Sequence, residues 1–139
     1  MKTAFVDSSV LFSAAASPIG GSAKLFTLRN IQLVTSRIVL AETERNVRKK
    51  LQGYHLERFF LLVEKLTIRK QAPHEKRIEK AKNVIAEKDA VILAEAKQAK
   101  TNVLVTLDVK RFFTKSVADF LKPQKVLTPK LLIELHKEQ

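Results

Sequence analysis

At 139 residues and 45% hydrophobic content, the chain is long enough to bury one sizeable core, which excludes a disordered basic tail. With no cysteine, disulfides and thiolate metal sites are excluded, and His55, His74 and His136 lack the close spacing of a zinc site, leaving carboxylates to meet any metal. Twenty-six Lys plus Arg against 14 Asp plus Glu give a net charge of +12, which calls for a polyanion partner, most commonly nucleic acid.

In chain order, "TAFV" at 3–6 reads as a buried strand, followed by the Ala-rich helical segment "SSVLFSAAA". After Pro18-Ile19-Gly20-Gly21 a second helix, "SAKLFTLRN", is predicted with Ser22 as its N-cap. "IQLVT" at 31–35 is the next strand. A helix then runs from Ser36 to about Gln52, stopped by Gly53, and another from about His55 to Leu66. "LTIRK" at 66–70 is a fainter strand. The stretch 73–100 is too long for one helix and is divided near Glu87 to Asp89. "NVLVT" at 102–106 and the fainter "KVLT" at 125–128 complete the strands. Thr128 as N-cap and Pro129 at the first helical position open the last helix.

No repeat or linker divides the chain, so one domain over 1–139 is expected. Alternating strands and helices imply right-handed crossovers and a three-layer α/β/α architecture with a short, mainly parallel sheet. No stretch is apolar enough to span a membrane, and "MKTAFVDSS" is too short before its first acid for a signal peptide, so a soluble cytoplasmic protein is expected. Basic residues concentrate in the middle: 12 of the 26 fall between Arg45 and Lys82, a phosphate-binding face or a plainly solvated one.

Only four aspartates occur, Asp7, Asp89, Asp108 and Asp119. Parallel sheets bind ligands outside the carboxyl ends of their strands. Asp7 directly follows "TAFV" and Asp108 comes two residues after "NVLVT", so both stand where that rule puts a site. Asp89 opens a helix in line with Ile92, Leu93 and Ala96, either a site acid or a first-turn acid favoured by the macrodipole. A fourth acid must come from "SRIVLAETERN", where spacing does not choose between Glu42 and Glu44. Either also suits a surface pair with Arg45 or Arg48, worth about a few tenths of a kcal/mol. Asp119 has no strand end or partner acid and reads as structural. Converging carboxylates raise one another's pKa unless a hard cation such as Mg²⁺ or Mn²⁺ neutralises them.

"TAFVDSSVLFSA", "VLAETERNV", "EKDAVILAEAKQAKTNVLVTLDVKRF" and "KVLTPKLLIEL" together resemble, in order, the blocks of PIN-domain proteins, above all the small prokaryotic ones grouped with VapC-type toxins. The resemblance is weakest from about Gly53 to Lys82. It implies a compact α/β fold with an acidic metal site that hydrolyses RNA phosphodiesters using Mg²⁺ or Mn²⁺. On this resemblance the acids fall on Asp7, Glu42, Asp89 and Asp108, so that it chooses Glu42 where spacing did not. Ser8 and Ser9 fall on the small hydroxyl residues after the first acid and Thr106 on the strand-end hydroxyl, Ser8 and Thr106 in supporting roles.

One departure is plain: many relatives carry an acid before the closing aromatic, whereas "DVKRF" has Arg111 before Phe112. Lys110, Arg111 and Arg45 are candidate phosphate contacts. Tyr54, Phe112 and Phe113 are either base-stacking platforms or core. The resemblance further implies a toxin with a protein antitoxin partner and a homodimer. Two other readings compete. One is an RNA-binding module with weak or no nuclease activity. The other, phosphoryl transfer through an aspartyl nucleophile at Asp7, is disfavoured by Ser9, which stands where that motif has a second acid.

Overall fold

The computed structural model describes residues 2–137. Among these residues the sheet has five strands, all parallel, in the order β3-β2-β1-β4-β5. They are β1 (Thr3–Val6), β2 (Gln32–Ser36), β3 (Thr67–Arg69), β4 (Val103–Val105) and β5 (Lys125–Leu127). The helices are α1 (Ser8–Ala16), α2 (Gly21–Leu25), α3 (Arg37–Lys50), α4 (Gly53–Val63), α5 (Glu75–Lys82), α6 (Glu87–Ala99), α7 (Val109–Phe112), α8 (Lys115–Leu121) and α9 (Pro129–Lys137). Consecutive β-branched and aromatic residues form central strands because both faces are covered by helices.

Alternation sorts those residues to two cores. Ala4, Val6, Leu33, Val103 and Val105 pack with α1, α2, α4 and α9, around Leu11, Leu25, Phe59 and Leu132. Phe5, Val34 and Leu104 face the other way, onto α6, α7 and α8, around Leu93, Phe112 and Leu121. Each fully buried Leu or Phe among them stabilises the fold by about 1.5–3 kcal/mol. The three-layer α/β/α arrangement is as expected, and the sheet is wholly rather than mainly parallel.

Four local expectations are corrected. The helix after β2 ends at Lys50, with Leu51 extended, and Gly53 begins α4 rather than stopping α3. Ser22 is not an N-cap: Gly20 takes that position at φ 107°, a left-handed conformation suited to glycine, and Ser22 is buried within the first turn. The same short helix stops at Leu25 rather than running through "TLRN". The break in 73–100 falls at residues 83–86, just before Glu87, because α5 ends at Lys82. Helices α7 and α8 were not anticipated. The last helix starts as expected, with Leu131 N–H donating to Thr128 Oγ1 at 3.2 Å.

Candidate active site at the carboxyl end of the sheet

Asp7 is held by the sheet itself. Its N–H donates to the Val105 carbonyl at 3.1 Å, extending the β1–β4 ladder, and its own carbonyl accepts the N–H groups of Val10 and Leu11 at the start of α1. The side chain is buried and its two oxygens have different duties. Oδ2 accepts hydroxyls from Thr106 at 2.7 Å and Ser9 at 2.8 Å. Oδ1 is met only by a distant Ser8 hydroxyl at 3.5 Å, and so stays available to the cleft.

Those hydroxyls are themselves oriented by backbone donors. Leu107 N–H donates to Ser9 Oγ and Asp108 N–H to Thr106 Oγ1, each at 3.0 Å. The loop that carries Asp108 is thereby fastened to Asp7 through one serine and one threonine. Burying Asp7 Oδ2 therefore leaves no polar atom of this cluster without a partner.

Helix α3 places Glu42 and Glu44 in different surroundings. Its buried stripe is Val39, Thr43 and Val47. Glu42 lies to one side of that stripe and Glu44 to the other. Glu42 accepts from Ser8 Oγ at 3.1 Å and borders the cleft, whereas Glu44 pairs with Arg48 at 3.0 Å on the exposed surface. Asn46 and Lys50 follow Glu42 at successive four-residue steps and also line the cleft; Lys50 Nζ sits 5.9 Å from the centre of the Phe12 ring. Sequence reasoning missed Asn46 and Lys50 as cleft residues, and gave no role to Ser9, which it matched to a family hydroxyl position. The periodic run 42-46-50 was the available signal for the first two.

Asp89 stands in the first turn of α6 and Asp108 is the N-cap of α7. With Asp7 as N-cap of α1, three helix N-termini converge on the acids, and their partial positive charge favours anions. Burial pushes the Asp89 carboxyl above its ordinary range; Arg111 and Lys88 pull it down, and Asp108 and Asp7 push it up. Arg111 reaches both carboxylates, with Nη1 3.5 Å from Asp89 and Nε 3.7 Å from Asp108.

Asp7, Glu42, Asp89 and Asp108 thus border one cleft of about 400 Å³, with Arg111 on its wall. Arg45 and Lys110 are exposed and lie outside the cleft wall. Phe112 is buried in the core, while Phe113 and Tyr54 are exposed. Asp119 pairs with Lys122 at 3.2 Å on the surface of α8. A larger cleft, about 600 Å³, lies between β3 and α6, but its one acid, Glu95, is bound to Ser36 at 2.7 Å. Size and chemistry disagree here, and the convergence of acids favours the smaller cleft.

The donor set suits a hard divalent cation, being all oxygen and drawn from distant parts of the chain. Among the described residues, no three acids or imidazoles are gathered at ligand range. No helix is long and apolar enough to cross a membrane, again among the described residues.

Similar folds occur among solved structures. VapBC2 from Rickettsia felis, bound to a DNA fragment from its promoter, superposes with a TM-score of 0.70 at 18% identity, covering 91% of this chain and 98% of that one. PAE2754 from Pyrobaculum aerophilum gives 0.66 at 16% identity, over 99% and 90%. VapC20 from Mycobacterium tuberculosis, a sarcin-ricin loop cleaving toxin, gives 0.52 at 16% identity, over 73% and 86%. Comparison with curated proteins gives no match. The family model for the PIN domain matches residues 4–115, a span that holds β2, β3, β4, all of β1 but Thr3, and all four cleft acids, and the chain therefore belongs to the PIN-domain family.

Proposed function

We propose that this protein is a metal-dependent endoribonuclease, a single PIN domain over residues 1–139 acting as the toxin of a toxin-antitoxin pair. The observation that carries the reading is the convergence of Asp7, Glu42, Asp89 and Asp108, from four separate elements, on one cleft at the carboxyl end of the sheet. Asp7 Oδ1, Asp89, Asp108 and Glu42 would hold Mg²⁺ or Mn²⁺. Such a cation supplies an acidified water and charge neutralisation at the phosphodiester. Thr106 and Ser9 hold Asp7 and the Asp108 loop in register, and Ser8 orients Glu42.

The net charge of +12 supports RNA as substrate, with affinity that falls as salt rises. Lys50 and Asn46 extend the cleft along α3 as backbone contacts, and Arg45 flanks it from the exposed side of the same helix. Lys110 flanks it from α7. Tyr54 and Phe113, both exposed, are available for base stacking. The likeness to VapBC2 supports an antitoxin partner, and that to VapC20 supports a toxin's role; a homodimer and a cytoplasmic location belong to the same reading.

One observation favours the competing reading of an idle nuclease that binds RNA: the Arg111 guanidinium lies against two of the acids. The test is cleavage of a pool of tRNA and structured RNA with Mg²⁺ or Mn²⁺, beside an EDTA control and Asp7→Asn. Metal-dependent cutting lost in the variant supports the nuclease. Binding without cutting in either metal, unchanged by the substitution, would leave the binding module.

A further inference from the structure

Arg111 occupies the space between two carboxylates that the proposed mechanism assigns to a cation. Its backbone N–H donates to Asp108 Oδ1 at 3.2 Å while its guanidinium approaches Asp108 Oδ2 at 3.7 Å and Asp89 Oδ2 at 3.5 Å. The flanking Phe112 is buried, which fixes the backbone of α7 in the core. The arginine side chain, by contrast, is 43% exposed, and both ion pairs lie at the long end of their range. The arginine is the exposed partner of each pair, Asp89 and Asp108 being 14% and 30% exposed, and at these lengths neither contact is a close hydrogen bond, so the guanidinium can swing outward without disturbing the helix that carries it.

We propose that Arg111 is a tethered counter-cation that competes with the divalent ion for Asp89 and Asp108. The inference rests on the metal-site reading above. It predicts that the chain without RNA binds metal weakly. A guanidinium cannot lose its charge at any ordinary pH, so it gives way only by moving. It pairs well with phosphate oxygens, so an RNA strand entering the cleft offers it an alternative partner and frees the acids for metal as substrate arrives. Such an arrangement couples the loading of metal to the presence of substrate.

The test is calorimetric titration of Mn²⁺ into the full chain without RNA, comparing the parent protein with Arg111→Gln and Arg111→Lys, and with Asp108→Asn as a negative control. Arg111→Gln should bind Mn²⁺ roughly tenfold more tightly than the parent, equivalent to about 1.4 kcal/mol. Arg111→Lys, keeping the charge on a more flexible stem, should lie near the parent. Thermal unfolding gives a second readout: added Mn²⁺ should raise the melting temperature of Arg111→Gln more than that of the parent. Equal or weaker binding by Arg111→Gln, with Asp108→Asn still impaired, overturns the competition while leaving the metal site intact. No binding by any of the proteins, all folded in EDTA, overturns the metal reading and this inference together.

Discussion

The two ends of the sheet treat polar side chains in opposite ways. At the amino end Asn102 closes the backbone: its Oδ1 accepts the N–H groups of Lys2 and Thr3 at 3.0 Å, and its own N–H donates to Thr3. Every partner there is neutral and belongs to the same small knot. At the carboxyl end Asp7 is buried with Thr106, and three further acids border the same cleft against Arg111 and Lys50. The first end uses polarity to finish a fold. The second gathers charge that the fold alone has no use for, which is why the proposed function is placed there.

The most severe way to break that contrast is Asp7→Asn. The amide oxygen still accepts from Thr106 and Ser9, so the fold should persist by circular dichroism. Its NH₂ replaces the oxygen that faces the cleft, and RNA cleavage should fall at least on the order of a hundredfold. Thr106→Val should come next. It strips a buried charge-assisted bond from Asp7 and releases the Asp108 N–H, costing about 2 kcal/mol in denaturant unfolding. Cleavage should drop about tenfold with it.

Asn102→Ala sharpens the comparison from the other end: about 1 kcal/mol of stability is lost, because water can reach the freed groups, and cleavage is unchanged. Unequal cleavage after correction for the folded fraction would show that the two ends are coupled.

The smallest effect is a pH dependence at Glu95. Burial raises this carboxyl above its usual 4.5, against the lowering effect of the Ser36 hydroxyl. The folded chain therefore keeps the proton to higher pH than the unfolded one. The stability Glu95 contributes is complete below the unfolded value and is lost as pH rises through the folded one. Glu95→Gln should flatten that decline, read from urea midpoints across the series, and leave cleavage unchanged.

Much of this was legible in the chain. β-Branched runs between Gly, Pro and charged segments marked the strands, and the rule for parallel sheets put Asp7 and Asp108 at their carboxyl ends. What escaped had physical causes. Spacing alone could not choose between Glu42 and Glu44, which flank one buried stripe symmetrically; the family resemblance chose Glu42, the side that the packing of α3 against α1 and α4 turns to the cleft. Asn46 and Lys50 look like any solvated helical surface until Glu42 is placed. The cap at Gly20 depends on a left-handed φ and that at Leu51 on an extended residue, neither of which composition specifies. Helices α7 and α8 are too short for a period to emerge, although Asp108 and Thr114 are both strong N-cap residues.

The division of labour within the Asp7 carboxylate also supplies an internal reporter. One hydroxyl separates Asp7 Oδ2 from each of the amide protons of Leu107 and Asp108. Electron density drawn from Asp7 by a cation on its other oxygen is felt by Ser9 and Thr106, and through them by those amides. Nitrogen-15 resonances of two backbone positions should therefore register occupancy of the site in a protein that has never met its substrate.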